Sequence, residues 1–261
     1  MNSQPDFETY AVTHTRPGEV SGWRVFLLES YLPDYSNILD VGCGDGRYLE
    51  YLSKKVPKDN LTGAEISMIR VNRVRAKGFH CEKVQDTELP FTDNSFDAIL
   101  FFEVIEHISA DRIEGLLQEF VRVLRDGGMV IGSTPNYPAK RVYNYINYTK
   151  IGLDYWINKA VNAMFKHPTV PKQFQETDST VTIQGEKKSF KQRLRRLYAD
   201  DPTHQFHCNF SIIQNLGQAF FHDVKLFTTF TNQARPVEPN NMLRHLSHKI
   251  GFVWSNPKKR Q

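Results

Sequence analysis

The stretch that decides the fold is Ile38-Leu39-Asp40-Val41-Gly42-Cys43-Gly44-Asp45-Gly46. Its apolar first residues predict a buried strand, and the helical spacing of apolar residues over 48–52 predicts a helix after it. Gly42, Gly44 and Gly46 have no Cβ, so the backbone between them can turn tightly and approach a ligand at the amino end of that helix. The stretch therefore predicts the ligand-binding edge of an α/β sheet.

Strands and helices alternate on both sides of this loop. Apolar spacing predicts helices at 19–31, 68–77, 113–124 and 212–220, and strands at 61–66, 79–84, 96–102, 129–133, 224–230 and 250–254. The unbroken apolarity from Ala98 to Phe102 is typical of a strand buried on both faces of a parallel sheet. The prediction is a doubly wound, mostly parallel α/β sheet.

Composition narrows the class of protein without deciding the function. Of the 261 residues, 40% are hydrophobic and 24% are charged, which disfavours disorder, and the longest apolar run is too short to span a bilayer. Residues 1–6 have no basic-then-apolar pattern, so we expect no secretory signal and a cytoplasmic protein. Cys43, Cys81 and Cys208 lack CxxC spacing, which predicts reduced thiols. A formal charge of +4 permits an anionic partner without requiring one.

Glu65 sharpens the prediction for the glycine loop. It lies about 20 residues beyond Gly46, at the predicted end of the second strand, where a carboxylate can accept hydrogen bonds from both hydroxyls of a ribose. A dinucleotide-binding oxidoreductase would carry GxGxxG, but Arg47 follows Gly46 and the next glycine is Gly63. The spacing therefore disfavours a dehydrogenase.

Residues 38–46 resemble the first signature of class I S-adenosylmethionine-dependent methyltransferases. The resemblance continues through 86–91, 94–97 and 102–107, and 124–128 and 133–136 are similar to ubiquinone-pathway-like and glycan-modifying members. It is dense over about 36–136 and looser over 200–255, where Asp201-Pro202-Thr203-His204 is also similar. It implies a seven-stranded Rossmann-like sheet with an antiparallel last strand.

The resemblance also implies an order of segments. We expect an N-terminal helical segment (1–36), a cofactor-binding core (37–136), an insertion or lid (137–200) and a C-terminal completion of the sheet (201–261). The alternation of strands and helices fails over 137–200, which is why these residues are assigned to the insertion.

The same resemblance implies S-adenosylmethionine as the cofactor and places its parts on the chain. The methionine part is expected against the loop, the ribose on Glu65, the adenine beside Ile66, and the sulfonium end near Glu103. The complete set of predicted cofactor residues is Asp40, Gly42, Cys43, Gly44, Gly46, Glu65, Ile66, Asp86, Thr87 and Glu103. Acidic and carbonyl oxygens suit a cofactor that carries a sulfonium and an ammonium. Asp40 and Asp86 also fit a role as capping or turn residues.

The expected acceptor is a hydroxyl of a small molecule or glycan, which needs a general base. His107 and His204 are the candidates because imidazole exchanges protons near neutral pH. We favour His107 because it follows the fourth strand, at the edge where such sheets bind ligands. Nucleic acid is possible as an acceptor but not favoured, and the sequence indicates no oligomeric state.

Two alternatives remain open. Glu103, Glu106 and His107, with His204 or His207, resemble the metal site of small-RNA 3′-terminal ribose methyltransferases, although the same run occurs in metal-free relatives. That alternative predicts that these side chains converge within ligand distance; the favoured assignment includes no metal. The second alternative is a cofactor-binding partner protein without catalysis.

Overall fold

The computed structural model describes residues 6–13, 20–32, 36–85, 87–137, 204–228 and 249–259, and the backbone of three short strands at 182–183, 186–187 and 235–236. The chain forms two compact units, one of Met1–Pro138 with Thr203–Gln261 and the other of Ala139–Pro202. Of the second unit, an antiparallel pair, Thr182–Ile183 with Glu186–Lys187, is described. Of the predicted lid at 137–200, Tyr137 belongs to the first unit, and the rest lies outside the described residues apart from this pair.

The first unit alternates helices with strands. Its helices are α1 (Phe7–Thr13), α2 (Gly22–Tyr31), α3 (Arg47–Leu52), α4 (Met68–Ala76), α5 (Ala110–Val123) and α6 (Phe210–Phe220). Its strands are β1 (Ile38–Val41), β2 (Leu61–Glu65), β3 (His80–Lys83), β4 (Phe96–Phe102), β5 (Leu124–Pro135), β8 (Phe221–Thr228), β9 (Arg235–Pro236) and β10 (Lys249–Pro257), with β6 and β7 forming the pair in the second unit. Short 3-10 turns cover Lys58–Asn60 and Ile105–His107.

The strands of the first unit form one sheet in the order β3-β2-β1-β4-β5-β10-β8-β9. Strands β3, β2, β1, β4 and β5 are parallel to one another, and β10 runs antiparallel between β5 and β8. The predicted mostly parallel, doubly wound sheet is therefore confirmed, together with its antiparallel last strand. Strand β9 adds only two residues at the edge.

The core lies on both faces of this sheet. On one face Phe101, Phe120 and Trp254 are fully buried with residues of α5 and α6, and on the other Leu27 and Leu49 are fully buried with residues of α4. Every residue of β1 and β2 is buried, as expected for central parallel strands. The order of the strands reverses between β1 and β4: β2 and β3 lie on one side of β1, and β4 and β5 lie on the other. Open α/β sheets bind ligands at the carboxyl ends of the strands flanking such a switch point.

Two differences from the sequence-based prediction have physical causes. Strand β5 extends over Leu124–Pro135, beyond the predicted 129–133, because β10 pairs with it from Met129 to Pro135 and β4 pairs with it from Leu124. Helix α1 is not predicted by apolar spacing, since Ala11 is its one buried residue and its contacts to α4 are mainly polar. In the part of the chain that the structure describes, no helix is long and apolar enough to cross a membrane.

Candidate active site

The glycine loop is held against the end of β2. The N–H groups of Gly42 and Cys43 both donate to the carbonyl oxygen of Ala64, at 2.7 and 3.2 Å. Gly42 has a φ of +71°, and a Cβ there would lie 2.5 Å from Cγ2 of Val104, so no other residue fits without a shift. Gly44 also has a positive φ, of +57°, but no atom beyond its chain neighbours lies within 4 Å of its Cβ position. The loop thus leaves open space at Gly44, where a ligand can approach the backbone.

Glu65 ends β2 with a buried carboxylate, 3% exposed. Its Oε2 accepts a hydrogen bond from the N–H of Gly44 at 2.8 Å, and its Oε1 accepts from Ile66 and Ser67, both at 3.1 Å. Burial raises the pKa of this carboxyl, while the three backbone donors and Arg70 act against that shift. Since a carboxylate oxygen can accept two hydrogen bonds, Oε2 retains capacity for a ligand hydroxyl.

Asp40 is the second buried carboxylate beneath the loop, 1% exposed. Its Oδ2 has no hydrogen-bond partner among the described residues. Burial raises the pKa of Asp40 well above its ordinary value, the nearby Glu65 raises it further, and Arg47 lowers it. A buried acceptor without a partner is costly, so this atom fits a cationic hydrogen-bond donor such as the ammonium group of the predicted cofactor.

Cys43 and Thr87 make packing contacts in this structure, and Asp86 lies outside the described residues. The Sγ atoms of Cys43 and Cys81 are 3.8 Å apart in the core, and the hydrogen bond between these thiols, together with burial, raises the pKa of Cys43. The Oγ1 of Thr87 lies 3.4 Å from the position that a Cβ on Gly115 of α5 would take. Neither contact assigns these side chains to a ligand.

Glu103 follows β4 in a left-handed conformation, with a φ of +60°. Its Oε1 accepts a hydrogen bond from the hydroxyl of Ser133 at 2.8 Å and pairs with the guanidinium of Arg24 at 3.0 Å, while Lys249 pairs with its Oε2. Arg24 was not among the sequence-predicted site residues. The carboxylate of Glu103 thus carries two cations from α2 and β10.

A second cluster joins residues from three distant segments: Glu106, His107, Tyr137 and His204. Glu106 is 1% exposed; its Oε2 accepts from the hydroxyl of Thr134 at 3.1 Å, and its main-chain oxygen accepts from the N–H groups of Gln205 and Phe206. These backbone bonds bring the returning chain next to the turn after β4. The rings of His107 and His204 are 4.8 Å apart, and Nδ1 of His204 is 2.7 Å from the hydroxyl of Tyr137.

The two predicted base candidates therefore lie in one cluster. One ligand atom each from Glu106, His107 and His204 lies within 4.8 Å of the others, a spacing that fits a metal ion. Glu103 is engaged by Ser133 and its two cations, and His207 stacks on Tyr137 at 3.8 Å. Of the residues that the metal alternative needs, three converge.

Aromatic residues of α1 border the same cluster. The ring centroids of Phe7 and Tyr10 lie 6.3 and 6.4 Å from that of His107. No motif marks residues 7–13 in the sequence, so Phe7 and Tyr10 were missed, as were Arg24 and Tyr137. The pattern that could have found the last is its position directly after the Ser133–Asn136 segment at the carboxyl end of β5.

Comparison with known proteins agrees with this geometry. Residues 39–132 match the family model described as a methyltransferase domain. The chain is 26% identical over 137 residues to the ubiquinone/menaquinone biosynthesis C-methyltransferase UbiE of Desulfotalea psychrophila, covering 50% of this chain and 55% of that protein. It is 35% identical over 102 residues to a tRNA (carboxymethyluridine(34)-5-O)-methyltransferase of Xenopus tropicalis, covering 38% of this chain and 15% of that protein.

A solved structure of an S-adenosylmethionine-dependent methyltransferase from Thermotoga maritima shares the fold, with a TM-score of 0.52 and 16% identity over 89% of this chain and 87% of that one. Residues 39–132 thus match a methyltransferase domain, and the chain shares its fold with S-adenosylmethionine-dependent methyltransferases; both findings agree with the class I family and the cofactor that the sequence resemblance implies. The chain spans about half the length of the first two curated relatives that it matches.

Proposed function

We propose that the protein transfers a methyl group from S-adenosylmethionine to a hydroxyl of a small molecule or glycan, with His107 as the general base. One observation carries the proposal: two buried carboxylates, Asp40 and Glu65, lie at the carboxyl ends of β1 and β2, and the paired histidines His107 and His204 lie at the carboxyl end of the neighbouring β4. The carboxylates can bind the cationic methyl donor, and a histidine can accept a proton from the acceptor.

The cofactor, when bound, supplies an electrophilic methyl group on a sulfonium. Oδ2 of Asp40 offers a charged acceptor to its ammonium group, and Oε2 of Glu65 offers a free lone pair to a ribose hydroxyl. Nε of Arg24 is buried without a partner among the described residues, and its guanidinium can bind the methionine carboxylate. These groups would hold the cofactor in one orientation, from which in-line attack gains most of its acceleration.

His107 then accepts the proton of the acceptor hydroxyl as the oxygen bonds to the methyl carbon and the carbon–sulfur bond breaks. Its backbone N–H donates to the carbonyl oxygen of Val104 within the 3-10 turn, which fixes the residue at the end of β4. His204, held by Tyr137, packs against the ring of His107 and restricts its orientation. General-base catalysis of this kind contributes about 10²–10⁴-fold to a rate.

A metal-assisted RNA ribose methyltransferase is the second candidate, and the convergence of Glu106, His107 and His204 favours it. Two imidazoles and a carboxylate are a donor set that first-row transition metals accept. In this candidate Glu106, His107 and His204 would hold the metal, which would supply Lewis-acid activation of a ribose hydroxyl, and His107 would be a ligand and not a base. The carboxylate of Glu103 argues against a four-residue site, because Arg24 and Lys249 already neutralise it.

The test is a methyl-transfer assay with labelled cofactor against separate pools of small molecules, glycans and RNA, each with and without a chelator. The proposal expects label in a small-molecule or glycan ether that the chelator leaves unchanged. Label in RNA that disappears with the chelator would replace it with the metal-assisted candidate. Tight cofactor binding with no transfer to any pool would favour the non-catalytic partner protein.

A further inference from the structure

Helix α1 is too short to be stable by itself and is held by the rest of the unit. It has seven residues, whereas isolated helices below about 12 residues are marginal in water. Asp6 caps its amino end by accepting from the N–H groups of Glu8 and Thr9 at 3.2 and 3.0 Å. Ala11 is 0% exposed, so the helix is packed on one side. Its position is therefore set by tertiary contacts.

Glu8 makes the strongest of these contacts, at the amino end of α4. Its carboxylate accepts from the hydroxyl of Ser67 and the N–H of Met68, both at 2.7 Å, and from the N–H of Ile69 at 3.3 Å. The hydrogen bond from Ser67, followed by that from Met68, lowers the pKa of Glu8. The amino end of a helix attracts anions, and here the chain supplies its own carboxylate.

The segment that Glu8 caps comes directly after the predicted cofactor residues. Ser67 and Met68 follow Glu65 and Ile66, and the N–H of Ser67 also donates to Glu65. Glu8 and Glu65 are thus linked through Ser67, which donates its hydroxyl to Glu8 and its backbone N–H to Glu65. A contact at Glu8 therefore affects the position of the carboxylate expected to bind the ribose.

The other contacts of α1 reach the glycine loop and the acceptor side. Arg73 of α4 donates from one nitrogen to the carbonyl oxygen of Ala11 and to the carboxylate of Asp45 in the loop, both at 3.1 Å. The guanidinium of Arg70 lies over the ring of Tyr10 at 5.4 Å. Tyr10 and Phe7 contact His107 at the end of β4. Helix α1 therefore contacts the segments that follow β2 and β4 directly, and reaches the glycine loop after β1 through Arg73 of α4.

We propose that α1 forms the outer wall of the cofactor site, and that Glu8 is the positioning residue that fastens this wall to α4. The proposal rests on the proposed function, because it requires S-adenosylmethionine to bind at the predicted cofactor residues at the ends of β1, β2 and β4. Cofactor can enter and leave only when α1 separates from α4. When α1 is packed on α4, the rings of Phe7 and Tyr10 border the cofactor site on the side of His107.

The experiment compares Glu8→Gln with Glu29→Gln in the full chain. Glu29 is a matched control: it is an exposed carboxylate that accepts from Tyr51 and Lys55, whose hydrogen bonds lower its pKa, and it lies on α2 away from α1. The rate of dissociation of S-adenosylmethionine and of S-adenosylhomocysteine is measured by stopped flow. Loss of a charged acceptor for three donors is expected to raise this rate roughly tenfold or more in Glu8→Gln and to leave it unchanged in Glu29→Gln.

A second measurement does not depend on any variant. Amide hydrogen exchange of residues 7–13 in the unmodified chain is expected to slow when S-adenosylmethionine is added, because the cofactor holds the closed wall in place. Equal dissociation rates in Glu8→Gln and the unmodified chain, or exchange in α1 that the cofactor does not slow, would overturn the proposal. An unmodified chain that binds no cofactor would instead overturn the proposed function.

Discussion

The two halves of the carboxyl edge differ in how their buried polar groups are satisfied. On the β1–β2 half, Oδ2 of Asp40 has no hydrogen-bond partner in the described part of the chain, and burial raises the pKa of Asp40 well above its ordinary value. On the β4–β5 half, the carboxylates of Glu103 and Glu106 accept hydrogen bonds from the hydroxyls of Ser133 and Thr134 of β5, respectively. The first half thus has a buried oxygen without a hydrogen bond from the described residues, whereas the carboxylates of the second half, here called the preassembled half, are hydrogen-bonded within the chain.

This contrast suggests a division of labour. A buried carboxylate without a partner destabilises the free protein and gains the most from a cationic ligand, as expected of a binding site for a sulfonium cofactor. A hydrogen-bonded cluster holds its side chains in one arrangement, as expected where a proton or a metal must be placed accurately. Variants on each half should therefore affect different measurements.

The largest effect is expected on the preassembled half. His107→Ala should lower the rate of methyl transfer about 10²–10⁴-fold, because the acceptor hydroxyl loses its base, while the affinity for S-adenosylmethionine stays unchanged. Single-turnover kinetics with an acceptor from the pooled assay, and calorimetric titration of the cofactor, would measure the two quantities. His222→Ala, at an exposed residue of β8, is the control. An equal loss of cofactor affinity in His107→Ala would remove the distinction between the halves.

Asp40→Asn tests the other half. It should weaken cofactor binding about 10–100-fold, because a charged acceptor is lost, and leave the chemical step of bound substrate unchanged. Calorimetric titration measures the affinity, and Asp59→Asn at an exposed turn is the control.

The same variant also has a pH signature in the cofactor-free protein. Since the folded-state pKa of Asp40 is raised, the folded chain holds a proton that the unfolded chain releases, and stability decreases as pH rises from the ordinary carboxyl range toward the raised value. Asp40→Asn should remove this part of the decrease in thermal unfolding experiments. An identical pH dependence of stability in the two proteins would show that Asp40 does not hold a proton with a raised pKa in the folded chain.

Gly63→Ala tests how tightly the β1–β2 half is packed. A Cβ at Gly63 would lie 2.8 Å from Sγ of Cys43 and 3.1 Å from Sγ of Cys81, so the free energy of unfolding should fall by about 1–3 kcal/mol. Urea denaturation measures the change. Adding Cys43→Ala in the same chain makes room and should restore part of the loss; a purely additive double variant would contradict the steric explanation.

The smallest effect is expected from Thr134→Val, which removes the hydroxyl that donates a hydrogen bond to Glu106. The free energy of unfolding should fall by about 1 kcal/mol, with cofactor affinity unchanged. Thr134→Ser keeps the hydroxyl and serves as the control. If Thr134→Val weakened cofactor binding as much as Asp40→Asn, the two halves would be one coupled site.

Much of the β1–β2 half could be predicted from the sequence. Strand β1, the glycine loop and Glu65 lie within 28 residues of one another along the chain, and their positions follow from local backbone geometry: Gly42 has no room for a side chain, and Glu65 ends the neighbouring strand. Such local constraints leave a readable pattern. The mostly parallel sheet was predictable for the same reason, since apolar spacing marks each strand before it pairs.

The preassembled half could not be predicted in the same way, because its contacts join segments that have no fixed separation along the chain. Nothing in the sequence places Arg24 on Glu103, Tyr137 on His204, or Glu8 on the first residues of α4. His107 and His204 were candidates separately, and they are brought together by contacts such as the backbone bonds from Gln205 and Phe206 to Glu106. The sequence by itself thus determined the fold and the glycine loop expected to bind the methyl donor, through local backbone constraints, whereas tertiary packing alone decided which side chains surround the two histidines.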